Sequence, residues 1–100
     1  MNIFEEGINA VKNQNDNYAG FNVSDADDDD PLLLLTDFLL NEYKSKLTQL
    51  AYKDSDTFET CGATFEYKGT VFEITQSIQN DDEYREVYFP EDFINEPIKL

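Results

Sequence analysis

The stretch Phe58-Glu59-Thr60-Cys61-Gly62-Ala63-Thr64-Phe65-Glu66-Tyr67-Lys68-Gly69-Thr70-Val71-Phe72-Glu73-Ile74-Thr75-Gln76-Ser77-Ile78 decides the fold. β-Branched and aromatic residues dominate it with a period of two, the repeat that sends successive side chains to opposite faces of an extended strand. The pattern predicts strands over residues 58–67 and 70–78, joined at Lys68-Gly69 as a two-residue hairpin loop. That loop sets Phe65 opposite Phe72 and Ala63 opposite Ile74. One face then carries Ala63, Phe65, Tyr67, Phe72 and Ile74, whereas the other carries mostly Thr, Glu and Ser, with Val71 the apolar exception.

Downstream, Asn80-Asp81-Asp82-Glu83 reads as a four-residue polar turn into a third strand over residues 84–89. Val87 and Phe89 extend the apolar face, and Tyr84 and Tyr88 fall on the opposite one. Pro90 ends the strand because it has no N–H for a ladder. A single helical turn is expected over Pro90-Glu91-Asp92-Phe93-Ile94, followed by a loosely held tail containing Pro97.

Upstream, Asp25-Ala26-Asp27-Asp28-Asp29-Asp30-Pro31 leads into a periodic apolar run. Pro31 fixes a φ that the first helical turn accepts, and Asp29 or Asp30 stands where a carboxylate caps free amides. Leu32, Leu35, Leu39, Tyr43, Leu47 and Leu50 recur at spacings of three and four, predicting one long helix ending near Tyr52. Phe4, Ile8 and Val11 make the apolar face of a shorter helix over residues 3–12, weakened by Gly7. Residues 13–20, rich in Asn, read as a loop. The expected architecture is α+β: a three-stranded antiparallel meander with one long helix packed on one face and a short N-terminal helix beside it.

The 100 residues suit a single domain, with apolar material, including eight Phe and six Tyr, for one core. Twenty-two Asp and Glu face seven Lys and Arg, a formal net charge of −15, with a pI near 4.1. This exceeds the magnitude of roughly 2 to 8 that keeps a small domain in solution. Self-repulsion at this level also opposes the compact state, so the excess points to a basic partner. Cys61 stands alone, leaving no internal disulfide, and Met1-Asn2-Ile3-Phe4-Glu5-Glu6 lacks the basic start and apolar run of a signal peptide. Leu32 to Leu35 is too short an apolar run to span a bilayer. A cytoplasmic location is the expectation.

Catalysis finds little support. Without histidine, Ser-His and Cys-His nucleophile arrangements cannot be assembled. Cys61 in a strand reads as a small buried hydrophobe. A glycosidase-like carboxylate pair needs one acid held in a desolvated cleft, and a domain of this size offers little room for one. Asp25, Asp27 and Asp29 match the first, third and fifth positions of an EF-hand loop, but Asp30 stands where the sharp turn needs Gly and Thr36 where a bidentate Glu is needed. No cofactor or specific metal site is expected.

The acids therefore read as a recognition surface. Helix capping explains one or two of Asp25, Asp27, Asp28, Asp29 and Asp30. A second set, Asp81, Asp82, Glu83, Glu86, Glu91, Asp92 and Glu96, crowds the C-terminal third against only Arg85 and Lys99. Duplex DNA carries one negative charge per about 1.7 Å of axis, and carboxylates at comparable density suit the same basic groove while repelling nucleic acid itself. Tyr84 and Tyr88 are candidate aromatic anchors for such an interface.

In size, in the run from Asp25 to Asp30, in the C-terminal acidic set and in the scarcity of basic residues, the chain resembles a class of small acidic inhibitors encoded by phages and mobile elements. These are DNA-mimic anti-restriction proteins, uracil-glycosylase inhibitors and anti-CRISPR proteins. The resemblance spans the chain in composition and rests on no signature motif. It implies a non-catalytic inhibitor, monomer or homodimer, that blocks a basic nucleic-acid-binding protein such as a host defence nuclease. An immunity protein neutralising a cognate nuclease toxin would share the same electrostatics. A third reading is an acidic interaction domain with no mimicry.

Overall fold

The hairpin expected from the alternation is the centre of a wider sheet in the computed structural model, which describes residues 2–15, 17–50, 58–92 and 96–100. Helix α1 (Ile3–Asn15) is followed by strand β1 (Tyr18–Asn22), a 3-10 turn at Val23–Asp25 and helix α2 (Pro31–Glu42). A second 3-10 turn at Lys44–Lys46 leads to β2 (Thr48–Leu50), β3 (Phe58–Tyr67), β4 (Thr70–Gln79), β5 (Asp82–Tyr88) and β6 (Ile98–Lys99). The strand order is β1-β5-β4-β3-β2, all antiparallel, and the short β6 pairs in parallel with β3.

The hairpin register is as expected, with Phe65 opposite Phe72 and Ala63 opposite Ile74. Lys68 and Gly69 both take positive φ, 47° and 84°, the backbone that matches a two-residue loop to strand twist. The β4–β5 connection is shorter than the four residues expected. Gln79 pairs with Asp82, leaving Asn80 and Asp81 as the turn, at φ 51° and 70°, which short polar side chains tolerate. The register moves by an even number of residues, so every side chain keeps its face.

The three-stranded meander with one long helix is overturned at both sides of the sheet. The leucine periodicity continues past Glu42, but the helix does not. Tyr43 takes φ −111° and ψ 27° as the C-cap, its ring meets Phe65 edge-on at 5.6 Å, and the chain turns onto the free edge of β3. Thr48 pairs with Gly62 and Leu50 with Thr60. Leu47 packs on the core all the same; an apolar residue at helical spacing serves equally well at the start of an edge strand. The expected helix end near Tyr52 lies outside the described residues.

On the far side, residues expected to form a loop extend α1 to Asn15 and then build β1, with Tyr18 opposite Tyr88 and Asn22 opposite Tyr84. Alternation is present there, Ala19 buried and Phe21 against the core, but it lasts only five residues. The tail expected to be loose is tied to β3: Leu100 N–H donates to the Glu66 carbonyl at 2.8 Å. Phe93 and Ile94, from the expected helical turn after Pro90, lie outside the described residues.

Both helices cover one face of the sheet. Ile8 and Val11 from α1 and Leu32, Leu35, Leu39 and Leu40 from α2 meet Ala19, Phe65, Phe72, Ile74 and Val87. Gly7 permits the close crossing of the helices, because a Cβ there would overlap the side chain of Leu35. Asp30 caps α2, its carboxylate accepting from the amides of Leu32 at 2.8 Å and Leu33 at 3.4 Å. Among the described residues no helix is long and apolar enough to cross a membrane.

Candidate functional site

The pairing of β1 with β5 determines where the first acidic run lies. The chain leaves β1 at Asn22 opposite Tyr84, and the turn at Val23–Asp25 packs against β5. Asp25 is thereby carried to the end of the sheet that holds the Asn80-Asp81 turn. The Asp27 carbonyl then accepts the Asp30 N–H at 3.0 Å, closing a turn with Asp28 and Asp29 at its corner. Asp25, Asp27, Asp28, Asp29, Asp81 and Asp82 are exposed. Asp30 is half-buried and engaged as the cap.

The described lysines lie elsewhere. Lys68 sits in the hairpin turn at the opposite end of the sheet, Lys99 on β6 opposite Glu66, Lys44 and Lys46 beyond the C-terminus of α2, and Lys12 in the last turn of α1. Arg85 is at the acidic end, but its charge is used internally. Its side chain, 8% exposed, donates from Nη1 to the Asp37 carboxylate at 2.5 Å and from Nε to Glu83 at 2.6 Å. Nη1 also reaches the Thr36 hydroxyl at 2.9 Å. Glu83 further accepts from Gln76 at 2.7 Å. Glu83 therefore serves mainly as a structural counterion.

The C-terminal acids do not form one group. β5 separates Asp81 and Asp82 from Glu91 and Asp92, a distance of about 20 Å at the usual rise per residue. Glu86 belongs to neither end; it lies on the sheet face away from the helices, where Tyr84 and Tyr88 also fall, as expected from the alternation. Tyr18 joins them from β1. Its hydroxyl meets that of Tyr84 at 2.8 Å, directly over Gly20, where any Cβ would collide with both phenols.

Glu73, also on this face, is 7% exposed. Its carboxylate accepts from the Thr64 hydroxyl at 3.2 Å and from the Tyr88 hydroxyl. The Tyr18 phenol is pushed up well beyond its ordinary value by its bond to Tyr84, by burial and by the neighbouring Glu86 carboxylate. Tyr88 is raised likewise, by burial first and then by its bond to Glu73. Tyr18, Tyr88, Glu86, Thr60, Thr75 and Ser77 line a hollow of about 360 Å³ on this face.

Cys61 is half-buried, its thiol pushed up by burial and then by the charges of Glu83 and Glu59, which keeps it from the thiolate form that nucleophiles need. Among the described residues, no three His, Cys, Asp or Glu side chains converge as a metal site, those of the acidic run included. Tyr18 and Glu73 escaped the sequence reading as site residues. Tyr18 falls in the Asn-rich stretch that reads as a loop, and nothing in the neighbouring sequence distinguishes Glu73 from the other strand acids. Arg85 had a visible signal, since the parity that buries Val87 puts it on the core face as well.

These features define an α+β protein in which, among the described residues, helices cover one side of the sheet. No family model, curated protein or solved structure matches the chain.

Proposed function

We propose that the protein is a non-catalytic acidic inhibitor that occupies the nucleic-acid groove of a basic protein, its carboxylates standing in for phosphates. One observation carries this reading: Asp25, Asp27, Asp28, Asp29, Asp81 and Asp82 come from two distant parts of the sequence to one end of the sheet, exposed and with no described lysine among them. Helix capping accounts for Asp30 alone among the run, and the Arg85 pairs account for Glu83 and Asp37. The six remaining acids make no internal ion pair among the described residues. Their mutual repulsion costs stability, and a basic groove would relieve it.

The test is capture from host lysate at low salt, followed by binding kinetics on the captured protein. Replacing Asp27, Asp28 and Asp29 together by Asn should slow association about tenfold or more and flatten its salt dependence, because steering falls with local charge. Capture of no basic nucleic-acid-binding protein would refute the reading. Unchanged kinetics in the triple variant would remove this end of the molecule from the interface.

A further inference from the structure

The sheet face opposite the helices is built differently from the acidic end. It is a recess with aromatic walls, hydroxyl groups and one carboxylate, and among the described residues no basic side chain lines it. Glu86 is half-buried there and forms no ion pair with a described lysine or arginine. Behind it, Glu73 is buried, its carboxylate accepting from the hydroxyls of Thr64 and Tyr88. The recess thus presents the Glu86 carboxylate without a described counterion, and the buried charge of Glu73 beneath Tyr88 adds to the negative potential in a region where burial weakens screening.

From this arrangement we infer that the open-face recess is a guanidinium pocket that receives one arginine side chain of the basic partner. Its volume of about 360 Å³ is near the lower end of ligand pockets, about 300 to 1,000 Å³, enough for a single long side chain. Tyr18 and Tyr88 line the recess with aromatic rings of the kind that attract a planar cation, Glu86 offers a charged acceptor, and the oxygens of Thr75, Ser77 and Thr60 offer neutral ones. Arginine suits this set better than lysine because its donors fan out in a plane that stacks on aromatic rings. The identity of the occupant rests on the proposed function; the chemistry of the pocket does not.

The test is a titration of isotope-labelled protein with N-acetyl-arginine methylamide, followed by amide resonances. Saturable shifts should be centred on Thr75, Ser77, Glu86 and Tyr88, and Glu86→Gln, on a half-buried open face, should weaken binding about tenfold or more by removing the charge-assisted bond. Shifts that never saturate, shifts confined to residues 25–30 and 81–82, or equal affinity in Glu86→Gln would each overturn the pocket. The uncharged N-acetyl-norleucine methylamide should produce no shift at these positions, and comparable binding by it would overturn the guanidinium assignment. Saturable binding supports the pocket whether or not low-salt capture retains a basic protein, so the two readings fail separately.

Discussion

Replacing Arg85 by Met tests the internal charge structure most directly. Arg85 holds α2 to the sheet through Asp37 and Thr36, and it neutralises Glu83 on its own strand. Removing one member of a buried ion pair costs about 3 to 5 kcal/mol when the remaining charge stays buried. Here Asp37 is 47% exposed and Glu83 24% exposed, against 8% for Arg85. Both acids regain water, and Glu83 keeps its bond from Gln76. Thr36 retains a partner as well, donating to the Leu32 carbonyl at 2.8 Å. The cost therefore falls to about 2 kcal/mol. In a domain of this size that lowers the melting temperature by about 8 to 16 °C. Urea denaturation at neutral pH measures it, and repeating the experiment in high salt should leave most of the difference, since the guanidinium is shielded from bulk ions. A loss below about 0.5 kcal/mol would show that the pairs merely offset the desolvation of Arg85, as buried pairs sometimes do.

Further outcomes follow from single positions. Tyr18 and Tyr88 have folded pKa values above the unfolded value of about 10; the unfolded chain loses these protons first, so their contribution is intact below about pH 10 and declines as pH rises beyond it. Replacing both by Phe should flatten that alkaline decline in denaturation experiments, and an unchanged slope would contradict the assignment. The Cys61 thiol, raised by burial, should be alkylated by iodoacetamide more slowly at pH 8 than a free cysteine; a matching rate would mean that the strand opens readily. Gly7→Ala sets a helix-propensity gain of about 1 kcal/mol against an overpacking cost of about 1 to 3 kcal/mol where the new Cβ meets Leu35. A lower urea midpoint is expected, and a higher one would show that α1 shifts away from α2 freely.

The legible parts of the fold were those where local chemistry and tertiary contact agree. The β3–β4 hairpin has unbroken alternation and a turn able to accept positive φ, and its register was readable residue by residue. The start of α2 was equally plain, because Asp30 and Pro31 act within their own turn. The end of α2 was not. Leu47 reaches the core from an extended segment, and its spacing from Tyr43 is indistinguishable from a continuing helix. β1 was hidden for a related reason: five residues carry too little periodicity, and its partner lies at the far end of the chain. At the candidate site, the faces of Tyr84, Tyr88 and Glu86 follow from parity. That residues 25–29 and 81–82 share one end follows from the β1–β5 pairing, which no local pattern announces.

The pairing of Tyr18 with Tyr88 also orders the assembly of the molecule in time. Hairpins such as β3–β4 close in about 1 to 10 μs once both arms are present, but β1 has no partner until β5 exists. On a ribosome, the leucines of α2 emerge well before the strands they will cover. Among the described strand pairs, β1–β5 joins residues farthest apart in sequence, Tyr18 with Tyr88, so it is the contact whose loop-closure entropy weighs most on the folding rate.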